Sequence, residues 1–394
     1  MTIQYQEKNL FFNTYSRFPI KIIRGEGVYL YDDRGYRYLD MFAGLAVNAL
    51  GYSHPKILQA IHDQSNKYIH ISNFFIQETQ IRLAEILLEA SGYNKIFFCN
   101  SGTEGIEGAI KIARKWGKKN GKNNIISLSN SYHGRTLGSL SLMDREKYRD
   151  GYGPFLSNCT IVKFNDVSDL KTSVSDSTCA IFLEFIQGES GIIPVEEYFI
   201  RELEKLRNKF NFLIVADEIQ TGLGRTGKLF SYEHCSLKPD IVVVAKALGG
   251  GFPLGAILGN DKVADIFQPG THGSTFGGNP VACAAGKVVL DELLNNNLIE
   301  NAKSSGEFLY TQLCDLKNLF PNIIKDVRGK GLMIGVEFFN DCLQIRNALL
   351  ENKIIVNCTA GNVLRLLPPL IISSQQITEF ISTLKKILEL NPPR

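Results

Sequence analysis

The chain has 394 residues with 43 Lys+Arg against 40 Asp+Glu, and a formal charge of +3 gives no footprint for a polyanion such as nucleic acid. At 44% hydrophobic and 21% charged it has a globular composition rather than a disordered one, long enough for two or three domains around a large core. The eight cysteines include no CxxC pair, which argues against a zinc or dithiol motif; free thiols acting as small hydrophobes are expected in stretches such as IFFCN and VACAA.

The opening stretch MTIQYQEKNLFFNTYSRFPIKIIRGEG has polar or charged residues every few positions and no apolar core of leader length, so a cytoplasmic protein is expected. Residues 19–40 read as short strands broken by Gly and Asp. Apolar β-rich runs then alternate with helical patterns. In chain order these are the run Lys95–Cys99, a helix over Thr103–Trp116, the runs Asn124–Leu128 and Cys179–Glu184, and a helix over Tyr198–Lys209. The runs Phe212–Ala216, Ile241–Ala245 and Gly255–Leu258 follow. This alternation predicts an α/β fold with at least six strands in one mostly parallel sheet. Ile266–Gly286 lacks Asp, Glu, Lys and Arg, yet its Gly, Pro, Asn and His could not satisfy a backbone in lipid, so no membrane span is expected. From about 300 onward come a helix, strands around Leu332–Phe338 and Val363–Leu367, and a final helix in Ile377–Leu390. The resulting division is a large domain over 55–290, with 1–54 and 291–394 forming a small α+β domain from both ends.

Gly222–Lys228 (GLGRTGK) matches GxGxxG and reaches GxxxxGK, but Leu229 stands where a P-loop needs Ser or Thr, and LFSYEHCSLKPD has no helical period. A flexible loop is the better reading. Asp217 follows the run FLIVA and Lys246 follows IVVVA, at the strand ends where parallel sheets bind ligands. Those two residues alone fit an ion pair as well as a shared crevice. FFCNSGTEG adds a strand, a turn and a helix start, with Ser101 and Glu104 spaced as a capping box. Free amides and hydroxyls there, at Ser101, Gly102 and Thr103, also suit a phosphate. Phosphate cradle, strand-end carboxylate and strand-end lysine together are what pyridoxal phosphate requires: the lysine joins its aldehyde, and the carboxylate keeps its ring nitrogen protonated.

At this point the sequence resembles the class III, or ornithine-type, pyridoxal-phosphate aminotransferases. The likeness runs through NSGTEGIEGAIKIAR, SYHGRTLG, EFIQGESG, ADEIQTGLGRTG, AKALGGGFPLG, HGSTFGGNP and AGNVLRLLPPL, while LAVNALGYSHP and the length tilt it toward the acetylornithine-using branch. It implies a fold-type-I α/β transferase and an active site shared across a homodimer. Lys246 and Asp217 would be catalytic; Ser101, Gly102, Thr103, Tyr132, Glu218, Ile219 and Gln220 would join them around the cofactor, with Thr275 reaching across from the neighbouring subunit. Arg135 would clamp a substrate carboxylate beside Ser274, and Glu189 and Arg365 would form a pair that opens for a two-carboxylate keto acid. His133 reads as a residue that supports the site from behind or as structural, and no metal is implied.

The family usually has Pro at Phe185, GEGG or GEAG where GESG stands, and alanines at Gly105 and Gly108. Two interior helix glycines would each cost about 0.5–1 kcal/mol. The implied reaction moves the terminal amino group of N2-acetylornithine to 2-oxoglutarate; ornithine, 4-aminobutyrate or succinylated donors are alternatives, and a nucleotide-binding protein using Gly222–Lys228 is the rival from another class.

Overall fold

The computed structural model describes residues 9–390; the first eight residues of the stretch read above as free of a leader, and the last four of the chain, lie outside it. The centre is a seven-stranded sheet: β1 Lys95–Cys99, β2 Asn124–Leu128, β3 Cys159–Val162, β4 Thr178–Leu183, β5 Leu213–Asp217, β6 Ile241–Val244 and β7 Gly255–Gly259. Their spatial order is β1-β7-β6-β5-β4-β2-β3. β7 alone is antiparallel to its neighbours β6 and β1, and the other pairings are parallel. Every residue of β4, β5 and β6 is buried, because helices cover both faces, and this explains their unbroken apolar sequences. All six predicted runs are strands of this sheet. The seventh, β3, has four half-buried to buried residues between Asn158 and Lys163, too short a run to stand out by period.

The helix Gly102–Lys119 crosses the sheet behind β1, with Ile106, Ala109, Ile110, Ala113 and Trp116 on its buried side. Gly105 and Gly108 face the sheet as well. A Cβ on Gly105 would lie 2.5 Å from Val243 Cγ1, and one on Gly108 would lie 2.3 Å from Ile257 Cδ1. The glycines that propensity marks as weak points are therefore what lets this helix approach β6 and β7.

Both chain ends contribute to the smaller sheets. Ile22–Glu26, Tyr29–Asp32 and Arg37–Asp40 form an antiparallel set, and Ile354–Ile355 adds to its edge parallel to Arg37–Asp40. A second sheet orders Ile324–Lys330, Met333–Phe338, Val363–Leu366 and Asn357–Thr359, with Asn357 opposite Arg365. Among the described residues no helix is long and apolar enough to cross a membrane.

One expectation needs correction here. Gly222–Thr226 is buried rather than a flexible loop, and only Lys228 of the stretch is exposed. Arg225 Nη1 donates to the carbonyls of Leu332 at 3.0 Å and Pro368 at 2.5 Å, while Leu332 N donates back to Arg225 O. The segment is a wedge between the central sheet and the C-terminal strands, and it leads into a short 3₁₀ turn, Ser231–His234, rather than a phosphate-binding helix. Cys99 and Cys283 are free thiols, and Cys342 and Cys358 are joined as a disulfide; a separation of 16 residues containing the helix Leu343–Glu351 conceals their proximity in sequence.

Candidate active site

The carboxyl ends of β1, β4, β5 and β6 open into one cavity of about 430 Å³. Ser101, Gly102, Thr103, Tyr132, Arg135, Glu189, Asp217, Ile219, Gln220 and Lys246, all singled out from sequence, line it. Asp217 is there because it ends β5. Lys246 is there because the chain leaves β6 through Ala245 and turns at once, with Lys246 itself at φ +46°. A lysine in that left-handed region is strained by roughly 1–2 kcal/mol, a cost found where a side chain must be aimed.

Across the cavity, Ser101 caps the Gly102–Lys119 helix by accepting from Glu104 N at 3.4 Å. The returning half of the capping box goes one residue further back than expected, since Glu104 accepts from Asn100 N at 2.9 Å. Thr103 Oγ1 meets Ser139 Oγ at 2.9 Å and Thr136 Oγ1 at 3.0 Å, which ties the helix start to the Thr136–Ser141 turn. Val47, Phe252, Pro253 and Leu254 give the cavity an apolar wall. Val47 follows four consecutive residues at positive φ, Ala43 to Ala46, and the buried Asp40 carboxylate holds this left-handed turn by accepting from Phe42 N and Ala43 N.

Charges in the cavity are arranged in pairs. Asp217 Oδ2 lies 2.7 Å from His133 Nδ1, and Asp217 Oδ1 accepts from Ile219 N at 3.1 Å. Burial opposes a charge on His133, but the hydrogen bond and charge of Asp217 outweigh it and raise the imidazole above its ordinary value. Glu189 is paired with Arg365 Nη1. Burial works against the Glu189 charge, and the Arg365 guanidinium overrides it and holds the carboxyl below its usual range. Arg365 Nη2 is anchored on Asn357 Oδ1 at 2.7 Å, and its Nη1 is 3.4 Å from Gln220 Oε1. Glu184, at the end of β4, accepts from Tyr132 N at 2.9 Å and Gly188 N at 3.1 Å. Burial, followed by the nearby Asp217 charge, pushes it up to about 7. Lys246 is lowered to about 8 by burial and then by the Arg365 charge, against the pull of Glu189, Asp217 and Glu184.

Three sequence-predicted residues are elsewhere. Glu218 faces away from the cavity and accepts from Thr221 Oγ1 at 2.5 Å, Ser231 Oγ at 2.7 Å and Tyr232 N at 3.0 Å, so the expectation that it contacts the cofactor is corrected. Ser274 and Thr275 line a second cavity of about 740 Å³ with Phe74 and Phe98; Ser274 Oγ accepts from Asn100 Nδ2 at 3.2 Å. Sequence reasoning read His133, in SYHG after β2, as a supporting or structural residue, and missed Glu184 as a site residue although it stands at a strand end, in EF after β4.

The residues present fit pyridoxal phosphate. A helix start with hydroxyls suits its phosphate, Tyr132 and Ile219 offer apolar surfaces, and Lys246 is a half-buried residue whose amine is lowered to about 8. The carboxylate Asp217, held by a buried His133 whose Nε2 has no partner, suits a protonated ring nitrogen.

Comparison with known proteins agrees with this geometry. Residues 11–388 match the family Aminotransferase class-III. An acetylornithine aminotransferase from Clostridium acetobutylicum is 43% identical over 386 residues, 97% of this chain and 100% of that protein. The crystal structure of an ornithine aminotransferase from Toxoplasma gondii superposes with a TM-score of 0.94 at 31% identity, over 98% of this chain and 95% of that one. An acetylornithine aminotransferase structure from Elizabethkingia anophelis gives 0.89 at 33% identity, over 98% of each chain.

Proposed function

The chain belongs to the class III aminotransferases and is a pyridoxal-phosphate-dependent aminotransferase, and from that premise we propose that it transfers the terminal amino group of N2-acetylornithine to 2-oxoglutarate. One observation carries the choice of donor. The only carboxylates lining the cavity among the described residues are Glu184, Glu189 and Asp217, and each is already engaged, by two backbone amides, by Arg365 and by His133 respectively. Free ornithine would bring a second ammonium with no unspent carboxylate to meet it, and a desolvated, unpaired charge is costly. An acetylated amine is neutral and suits the wall of Val47, Phe252, Pro253 and Leu254.

When bound, pyridoxal phosphate supplies an aldehyde for amine exchange and a ring that accepts electrons from the donor carbon. Ser101, Gly102 and Thr103 would hold its phosphate, Tyr132 and Ile219 its ring, and Gln220 its phenolic oxygen. Asp217, oriented by His133 Nδ1, would hold a proton on the ring nitrogen. Lys246 Nζ would hold the cofactor by its aldehyde and, when free, would be the base that takes and returns the proton of the donor carbon. Arg135 binds one carboxylate of each substrate by its fork, and Arg365, released from Glu189, binds the second carboxylate of the keto acid.

We further propose a homodimer with shared active sites. Phe74, Phe75 and Ile76 are 97%, 65% and 89% exposed beside the cavity that holds Ser274 and Thr275. Contiguous exposed apolar residues of this kind favour burial against another chain. This arrangement supports the reading that Thr275 serves the site of a second copy.

The half-reaction tests the donor directly. N2-acetylornithine is expected to bleach the visible absorbance of the cofactor-loaded protein, and 2-oxoglutarate to restore it. No bleaching with N2-acetylornithine, under conditions where ornithine or 4-aminobutyrate bleaches fully, would overturn the proposal.

A further inference from the structure

Arg135 is an exposed residue at the cavity wall, and a free arginine there would sample many rotamers. It is instead held on two sides. Its Nε is 3.1 Å from Tyr132 Oη, so the tyrosine hydroxyl accepts the donor nearest the Arg135 stem. Its guanidinium carbon sits 4.0 Å from the centre of the Tyr148 ring. Tyr148 belongs to a single helical turn, Glu146–Arg149, and its ring meets that of Tyr132 edge to face at 5.9 Å and 83°.

A guanidinium has five N–H donors in one plane. With Nε spent on Tyr132 and one face covered by Tyr148, the four N–H groups on the two Nη atoms remain for a ligand. Those are the donors that a carboxylate accepts in parallel. Tyr132 thus has two separable jobs, its ring turned to the cavity and its hydroxyl turned to Arg135.

We propose that the Tyr132 hydroxyl and the Tyr148 ring are positioning groups that pre-orient the Arg135 fork for the substrate carboxylate. They set carboxylate affinity without entering the chemistry. The proposal rests on the reading of Arg135 as a carboxylate ligand and deepens it.

The experiment measures kcat and KM for 2-oxoglutarate in wild type, Tyr132→Phe, Arg135→Ala and the double variant. Phe keeps the ring and removes one hydrogen bond, so KM should rise about fivefold to tenfold, well beyond any change in kcat, with the visible absorbance of the bound cofactor unshifted. In the Arg135→Ala background the same change should alter KM less than about twofold, since the group it positions is gone. Tyr148→Leu should raise KM about threefold, and Tyr148→Phe, which keeps the ring face, should restore it. A wild-type KM in Tyr132→Phe, or an equal effect in both backgrounds, overturns the positioning role while leaving Arg135 as the ligand. An Arg135→Ala variant with an unchanged KM overturns the carboxylate reading itself and the proposal with it.

Discussion

His133 Nδ1 lies 2.7 Å from Asp217 Oδ2, with both side chains shut away from solvent. The pair fixes the orientation of Asp217, and removing the imidazole leaves a buried carboxylate without that partner. His133→Asn is expected to weaken cofactor binding and lower kcat by about tenfold or more. The pH dependence of stability gives a second check. The imidazole is raised in the folded protein, so its stabilisation is complete below the unfolded value of about 6.5 and fades as pH rises through the higher folded value. The Tm gap between wild type and His133→Asn should therefore be widest below about pH 6.5 and narrow above it; a gap that widens with pH would contradict this role.

Lys246, pushed down to about 8, supplies a neutral amine in a range where an exposed lysine is almost wholly charged. Cofactor-free protein mixed with pyridoxal phosphate and borohydride should be labelled at Lys246 at a rate that climbs with pH to a midpoint near 8. A midpoint near the ordinary 10.5 would show that burial does not activate the amine. Lys246→Ala should take no label in the active-site peptide.

Glu189 masks Arg365 by direct pairing. Glu189→Gln removes the charge and keeps the size, so Arg365 stays available to the keto acid. KM for 2-oxoglutarate should fall about threefold or more. A KM that rises would mean that Glu189 serves the keto acid rather than competing with it.

Gly105→Ala pits helix propensity against packing. Alanine would gain about 0.5–1 kcal/mol in the helix, but its Cβ would fall 2.5 Å from Val243 Cγ1, on a stiff β-branched side chain of a buried strand. Overpacking of this kind costs about 1–3 kcal/mol, so the variant should be less stable than wild type. Gly108→Ala should cost less, because its close neighbour, Ile257 Cδ1, is the far end of a longer side chain. Denaturant unfolding of both variants measures the order, and a stabilised Gly105→Ala would contradict it.

Asp217 and Lys246 were legible in the sequence because each terminates a run with no polar residue, and such runs are central parallel strands with functional ends. Ser101 to Thr103 were legible because a strand, a turn and a cap are local signals. What depends on distant contacts was not. His133 meets Asp217 across 84 positions, and nothing in SYHG announces the partner. Glu218 was placed in the site because it adjoins Asp217, yet at a strand end successive side chains point to opposite sides, and it is spent on Ser231 and Tyr232. Propensity marked Gly105 and Gly108 as weak points because it knows nothing of Val243 and Ile257. The wedge at Gly222–Thr226 looked loose because its glycines were visible and the C-terminal strands that enclose it were not.

The most direct test is a comparison of kcat/KM for N2-acetylornithine and for ornithine, each with saturating 2-oxoglutarate. Because the cavity holds no unspent carboxylate for a second ammonium, N2-acetylornithine should be favoured by about tenfold or more. Ornithine used as well as, or better than, N2-acetylornithine would contradict the account.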